Sequence, residues 1–141
     1  MQRLPLIALF VYTAAAKLLS FNDFKAAMLL QPLPHPVVVL LMYTLPAMES
    51  LAAIQLLFNN TLRGGYVLSI VLLAAFTAYA ALAWADLLPA AACPCGGLIS
   101  HVPWPAHFLI NLSFLALAVW GLDRARRKPV QRVGDTIKQI V

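Results

Sequence analysis

Long uncharged apolar segments alternate along the chain with short polar or proline-rich breaks. Four segments are long enough to cross a bilayer core of about 30 Å, which takes roughly 17–25 apolar residues in a helix. They cover residues 4–20, 37–58, 66–88 and 104–122. Because the bilayer offers no water to backbone N–H and C=O groups, each segment is predicted to be a transmembrane α-helix.

The break between the first two spans has an amphipathic pattern of its own. In "FNDFKAAMLL" the polar residues face away from an apolar side formed by Phe21, Phe24, Met28 and Leu29. This pattern is typical of a short helix that lies in the membrane interface, and the three prolines of "PLPHP" end it. The predicted fold is therefore all-α, an integral membrane four-helix bundle with a short interfacial helix between spans one and two.

Composition agrees with that pattern. Hydrophobic residues make up 62% of the chain and charged residues 11%, whereas soluble proteins are about 45–50% apolar and about 25% charged. A soluble fold of 141 residues could not cover its surface with so few polar side chains. We interpret residues 1–122 as a four-span domain in the lipid bilayer and residues 123–141 as a basic cytoplasmic tail.

The net charge of +5 arises largely from that tail. A basic run that directly follows an apolar helix attracts anionic lipid headgroups and signals topology. The aromatic residues that would stack on bases lie inside apolar segments instead, so nucleic-acid binding is not predicted.

Orientation follows from the basic residues. Arg3, Arg63 and the tail fall on one side of four spans, and Lys17 and Lys25 fall toward the other. The positive-inside rule then predicts cytoplasmic termini and a periplasmic loop before span four, in a bacterial inner membrane. An alternative interpretation takes residues 1–20 as a cleaved signal peptide; it leaves three spans with the same orientation.

The periplasmic loop contains the only two cysteines, in "CPCGG". Pro94 holds Cys93 extended, and the glycines after Cys95 permit tight turns, so the pair is placed to close a small, strained ring. Strained disulfides are easily reduced, which favours a redox role. Metal coordination, a structural staple and two inert thiols are the alternatives.

Span four begins with polar and aromatic residues on one helix face. Trp104, His107, Asn111 and Phe114 recur at spacings of three, four and three residues. His and Asn in a membrane helix need partners and tend to face the bundle interior. His107 either holds a proton or stabilises a cysteine thiolate, or it is a structural histidine. His101 lies in the loop itself, where an exposed histidine is most often without function.

Lys17 in span one and Glu49 in span two are expensive charges inside the predicted membrane domain. Two interpretations stay open. Either the two side chains form an ion pair between the helices, or Glu49 belongs to a proton path that serves the thiols. Asp86 lies close to the interface and is a minor alternative partner for Lys17.

These residues occur in an order that resembles a known family. Lys17 is followed by "SFNDFKAAMLLQPL", and then come "PAMES" with Glu49, "RGGYVLS", "FTAYAAL", "CPCGG" and "WPAHFLIN". Over roughly residues 14–118 the chain resembles the MauE/DoxX-type redox-associated membrane proteins. The Cys-x-Cys-Gly-Gly run with the downstream His and Asn is the most specific part.

The resemblance implies a four-helix membrane bundle with an accessory role in forming disulfides in exported proteins. The family's namesake is linked to maturation of the disulfide-rich small subunit of methylamine dehydrogenase, alongside a thioredoxin-like partner. By position, Cys93 and Cys95 match the family's cysteine pair. Recurrent polar positions of the family are matched by Lys17, Glu49, His107 and Asn111.

The hypothesis is therefore a thiol-disulfide oxidoreductase, or an accessory to one, in which Cys93, Cys95 and His107 carry the chemistry. Lys17, Glu49, Trp104 and Asn111 support them. A thioredoxin-like protein or an exported client is the expected partner, and a membrane quinone is an acceptor by analogy only.

The alternative hypothesis is a module that binds or delivers Cu or Zn. Its ligands would be drawn from Cys93, Cys95, His101 and His107. A transporter or scaffold subunit with incidental cysteines is a third possibility, although the sequence has no inverted repeat to favour transport.

Overall fold

The computed structural model describes residues 2–88 and 102–140, with side chains as far as residue 127. Its regular elements are five α-helices: α1 (Arg3–Leu19), α2 (Phe21–Leu29), α3 (His35–Leu57), α4 (Leu62–Trp84) and α5 (Trp104–Ile140). Three stretches, α3, α4 and the first 24 residues of α5, are each long and apolar enough to cross a membrane. The pair α1 and α2, bent by 90°, forms a fourth candidate. The predicted all-α fold is confirmed, including the short helix after span one.

The third span lies four residues earlier than predicted. The sequence pattern puts it at residues 66–88, whereas α4 runs from Leu62 to Trp84. The turn before it closes when the Thr61 N–H donates to the Phe58 carbonyl at 3.3 Å. The two glycines of "RGG", which fall in the break between the predicted spans, are therefore helical, and Gly65 packs closely against the backbone of α3.

A Schellman motif ends α4 before the predicted boundary. Asp86 has a left-handed φ of 55°, which Asp tolerates better than most residues. Its N–H donates to the Ala83 carbonyl at 3.2 Å, and the Leu87 N–H donates to the Leu82 carbonyl at 3.0 Å. These two bonds satisfy carbonyls that have no hydrogen-bond partner within the helix. The helix therefore ends here, although apolar residues follow.

The remaining boundaries agree more closely with the pattern. Helix α3 begins right after Pro34, and Pro36 lies in its first turn, where a missing N–H costs no hydrogen bond. Helix α5 begins at Trp104 as predicted. It continues without a break to Ile140, through the region predicted to be a tail.

Packing follows chain order in the bundle. Helix α3 packs between α1 and α4, α4 packs between α3 and α5, and α5 makes a smaller contact with α1. The starts of α1 and α4 and the end of α3 meet at what we call the arginine end, after Arg3 and Arg124. The opposite end, where α4 stops and α5 starts, is called the tryptophan end after Trp84 and Trp104.

All four long helices contribute to one core cluster, formed by Leu6, Phe10, Ala52, Ala53, Leu56, Tyr66, Leu72, Leu73 and Ala118. Lipid is as apolar as leucine, so helices in a bilayer associate through close packing, which small residues such as Ala52 and Ala118 permit. The outer surface carries large apolar side chains, for example Leu40 at 66% and Val71 at 59% exposure. A bilayer covers such a surface, as expected of a multi-pass membrane protein.

Helix α2 packs onto the start of α3. Phe24 and Met28 are buried and form a second cluster with Val38 and Met42. Leu29, predicted to share this face, is 48% exposed, because it follows Phe24 by five residues and so points about 140° away around the helix.

Gly65→Ala is expected to loosen the contact between α3 and α4. A Cβ on Gly65 would lie 2.9 Å from the Leu56 backbone nitrogen and 3.0 Å from the Gln55 carbonyl carbon. Backbone atoms cannot rotate away, so the helices must move apart at a cost of about 1–3 kcal/mol. The midpoint of thermal unfolding of the full chain in detergent should fall accordingly.

Gly64→Ala is the matched control, with the same gain in helix propensity. Its Cβ would meet only the Gln55 side chain, 3.1 Å away, and that side chain can move. If both variants unfold at the same temperature, the close approach at Gly65 does not limit stability.

Candidate functional site

A buried ion pair joins α1 and α3. Lys17 Nζ donates to both carboxylate oxygens of Glu49, at 2.8 and 3.0 Å, and the side chains are only 3% and 1% exposed. The Lys17 ammonium also lies 5.9 Å from the Phe24 ring centre and 5.8 Å from the Phe76 ring centre, where aromatic faces stabilise a cation. The structure thus shows the ion pair that the sequence offered as one of two interpretations. Asp86 is exposed at the end of α4 and is not the partner of Lys17.

Helical periodicity explains why these charges are buried. On α1 the buried residues are Leu6, Phe10, Ala14 and Lys17, which recur at spacings of four, four and three residues. They form one stripe, so Lys17 is the polar end of an otherwise apolar face. Glu49 belongs to the corresponding buried stripe of α3.

A cavity of about 40 Å³ lies beside the ion pair. Polar groups on three helices face it: Lys17 and Thr13 from α1, Glu49 from α3, and His107 and Asn111 from α5. The rest of the wall is apolar and consists of Leu9, Phe10, Leu73, Phe76 and Ile110. One water takes up about 30 Å³ in the liquid and needs two to four polar partners, so the cavity has the room and the groups to hold one.

His107 reaches this cavity from the first turn of α5. Its backbone N–H donates to the Pro103 carbonyl at 3.2 Å, and its side chain is buried. The imidazole ring centre lies 5.7 Å from that of Trp104. Asn111, one turn further along, lines the same cavity, and Phe114 packs against the hydrophobic core. The helix face singled out in the sequence is therefore turned into the bundle.

A second polar contact at the tryptophan end was not foreseen. The Tyr79 hydroxyl donates to Gln31 Oε1 at 2.6 Å, and the Gln31 amide donates to the Ala27 carbonyl at 3.0 Å. The Tyr79 ring meets the Trp104 ring edge to face at 5.9 Å. This contact ties the segment after α2 to α4 and α5. Its only signal in the sequence is that Tyr79 follows the inward-facing Phe76 by three residues.

Cys93, Cys95 and His101 lie outside the described residues. The nearest residues that the structure describes are Leu88, after the end of α4, and Val102, just before α5. Within the described ranges, no group of three or more His, Cys, Asp or Glu side chains is arranged to bind a metal ion. The thiol and metal hypotheses both depend on the segment between these ranges.

The cavity itself offers proton chemistry. An ammonium, a carboxylate, an imidazole and an amide surround a space that fits a water, and such groups hold or pass a proton.

Comparison with protein families identifies a relationship. The family model described as "Methylamine utilisation protein MauE" matches residues 1–124, which include α1 to α4, the first 21 residues of α5 and both cysteines. No curated protein and no solved structure matches the chain. The match agrees with the resemblance carried by the sequence motifs.

Lys17→Met is expected to destabilise the protein by about 3–5 kcal/mol, because Glu49 is left buried without its partner. The double variant Lys17→Met/Glu49→Met removes both charges at similar volume and should recover most of that loss. The free energy of unfolding of the full chain in detergent, measured for the wild type, these two variants and Glu49→Met, gives the coupling between the two residues.

Asp123→Asn serves as the matched control. It breaks the ion pair between Arg127 Nε and Asp123 Oδ2, which are 2.9 Å apart on side chains that are 76% and 51% exposed, respectively. The free energy of unfolding should fall by less than about 1 kcal/mol. A Lys17→Met variant no less stable than this control would contradict the importance of the buried pair.

Proposed function

The chain belongs to the family of methylamine utilisation protein MauE, and we propose that it is a membrane thiol-disulfide redox protein. Cys93 and Cys95 exchange electrons with a thioredoxin-like protein or with an exported client protein. The observation that carries this proposal is the position of the cysteine pair in the chain, between the end of α4 and the start of α5.

Covalent geometry keeps the pair close to that end of the bundle. Cys93 follows Leu88 by five residues, and an extended residue spans at most about 3.6 Å. The Cα of Cys93 thus stays within about 18 Å of the Cα of Leu88. The proposal therefore assigns the thiol chemistry to the tryptophan end, where α5 begins and His107 enters the bundle.

The proposed reaction is thiol-disulfide exchange between two proteins. A thiolate of the reduced protein attacks one sulfur of the other protein's disulfide, that S–S bond breaks, and a mixed disulfide forms. The second thiolate of the attacking protein then attacks the sulfur of the first, which forms an intramolecular S–S bond and displaces the partner's thiolate. The attacking protein is left oxidised and its partner reduced. Two electrons and two protons pass from the dithiol to the disulfide, and no further oxidant is consumed in this step.

The polar groups of the cavity assist the proton transfer that this exchange requires. Each thiol must lose a proton before it reacts, and a donor or cationic neighbour stabilises the thiolate. We assign this supporting role to His107, which is buried between the loop end of α5 and the ion pair. Lys17, Glu49 and Asn111 hold the polar cavity in place beneath it.

We place the tryptophan end in the periplasm of a bacterial inner membrane and the arginine end in the cytoplasm. Arg3 and Arg124 line one pocket, and Arg63 lies in the first turn of α4 at the same end, which agrees with the positive-inside rule. A periplasmic cysteine pair faces the compartment in which disulfides persist and exported proteins acquire them.

Single cysteine variants should trap the partner. In Cys93→Ser or Cys95→Ser, one cysteine has no second thiol to resolve the mixed disulfide, so a reductant-sensitive adduct should accumulate with a thioredoxin-like protein or with glutathione. The wild type and the double variant Cys93→Ser/Cys95→Ser should show none. Maleimide mass-shift labelling in glutathione buffers then gives the midpoint potential of the wild-type pair.

Two outcomes decide against the redox proposal. Thiols that stay unpaired in every buffer and trap nothing in either single variant would show that the pair does not cycle. One tightly held Cu or Zn ion per chain, lost in both single variants, would instead assign the cysteines to a metal-binding module.

His107→Gln is expected to raise the pH midpoint of maleimide labelling of the reduced pair by about one unit, because the thiolate loses a stabilising neighbour. His35→Gln is the matched control, an exposed histidine at the start of α3 at the same end of the bundle. Equal midpoints for the two variants would assign His107 a purely structural role.

A further inference from the structure

We propose that the arginine end of the bundle carries a binding site for a phosphate-bearing anion, such as the headgroup of an anionic phospholipid. The site is a pocket of about 150 Å³ between the starts of α1 and α4 and the middle of α5. An apolar cavity of about that size holds a benzene molecule, so the volume is sufficient for a phosphate group. This proposal does not rest on the thiol chemistry, which belongs to the opposite end.

Two guanidinium groups line the pocket. Arg3 is held by Asn59, because its Nη1 donates to Asn59 Oδ1 at 2.9 Å and to the Leu57 carbonyl at 3.4 Å. These bonds use one nitrogen of a group with five N–H donors, so donors on the other two nitrogens are not consumed by them. Arg124 lies with its guanidinium carbon 4.2 Å from the Trp120 ring centre, which restricts its position. Guanidinium groups fixed in this way suit the planar, two-point binding of phosphate oxygens.

No acidic side chain opposes these charges among the described residues that line the pocket. The nearest acid along α5, Asp123, forms an ion pair with Arg127 at 2.9 Å. The two arginines thus give the pocket a net positive charge, and an anion is the ligand that such a pocket attracts.

The N-termini of two helices add to the positive potential of the pocket. Helices α1 and α4 both begin at the pocket, and in the described residues neither has an acidic residue in its first turn or a side-chain cap on its free N–H groups. Helix N-termini carry a partial positive charge and bind phosphate through those groups.

The wall between α4 and α5 is built for close contact. A Cβ on Gly121 would overlap the Tyr66 ring and lie 2.8 Å from its hydroxyl oxygen, so only glycine lets that ring lie against α5. Tyr66 is buried at 3% exposure and lines the pocket, where its hydroxyl is a further donor.

Lipid is the favoured source of the phosphate because of where the pocket lies. Trp120, next to Arg124, is 47% exposed, and an exposed tryptophan near a span end is typical of the membrane interface. Basic pockets between helices at that level take anionic headgroups. A soluble phosphate compound has the same chemistry, so the experiment includes it as a separate probe.

The test uses the full chain, delipidated in a neutral detergent and titrated with dioleoylphosphatidic acid, dioleoylphosphatidylcholine or inorganic phosphate, with the unfolding midpoint as readout. Phosphatidic acid should raise the midpoint and phosphatidylcholine should not. In Arg3→Gln/Arg124→Gln the apparent dissociation constant should rise roughly thirtyfold, since each cation near the surface contributes about one factor of five.

Arg63→Gln/Arg126→Gln is the matched control, because it removes two cations near the same end that do not line the pocket. It should bind phosphatidic acid as the wild type does. A response to phosphatidic acid alone supports a lipid headgroup, and an equal response to inorganic phosphate supports a soluble phosphate compound in the same site. The proposal is overturned if the wild type responds to neither phosphatidic acid nor inorganic phosphate, if it responds equally to phosphatidylcholine, or if the two double variants lose binding equally.

Discussion

The Lys17 ammonium and the Glu49 carboxylate meet at 2.8 Å with almost no exposure to solvent. Either charge alone would be costly at that depth, so each requires the other. Glu49 lies eight residues, or about 12 Å, from the end of α3, and Lys17 lies near the end of α1. Their contact is satisfied in only one register of α1 against α3. The polar cavity lies beside this contact, between α1, α3 and α5.

A buried ion pair is weak evidence of stability in itself, because a well-packed apolar pair is often as stable. Between membrane helices its clearer effect is to specify how the helices meet, since apolar surfaces in lipid have no preference of that kind. An ion pair that only specified how the helices meet would, however, not require a cavity beside it. The space beside the pair, with His107 and Asn111 in its wall, is a feature that close packing would have filled, and its polar lining is consistent with proton transfer.

Much of this fold could be predicted because helix length and helical periodicity are local properties. The stripe that ends in Lys17 and the face with His107 are visible in the sequence, and the cost of isolated charges in lipid identifies Lys17 and Glu49 as partners. What the sequence did not reveal depends on neighbours. Gly65 was left just outside the predicted third span because its packing against α3 is not a local property. The Tyr79 contact with Gln31 exists only because α2 bends back.

The two ends of the bundle differ in chemistry, and an apolar layer separates them. Along α1, Leu6 and Phe10 lie between Arg3 and Thr13; along α5, Ala118 lies between Asn111 and Gly121. These core side chains are at most 1% exposed, so the layer between the two ends is closely packed and apolar. Gly121 follows Asn111 by ten positions, a helical rise of about 15 Å, which is half the thickness of the bilayer core. The proton role proposed for the cavity therefore belongs to the tryptophan end of the bundle, and the anion site proposed at the arginine end lies on the other side of the apolar layer.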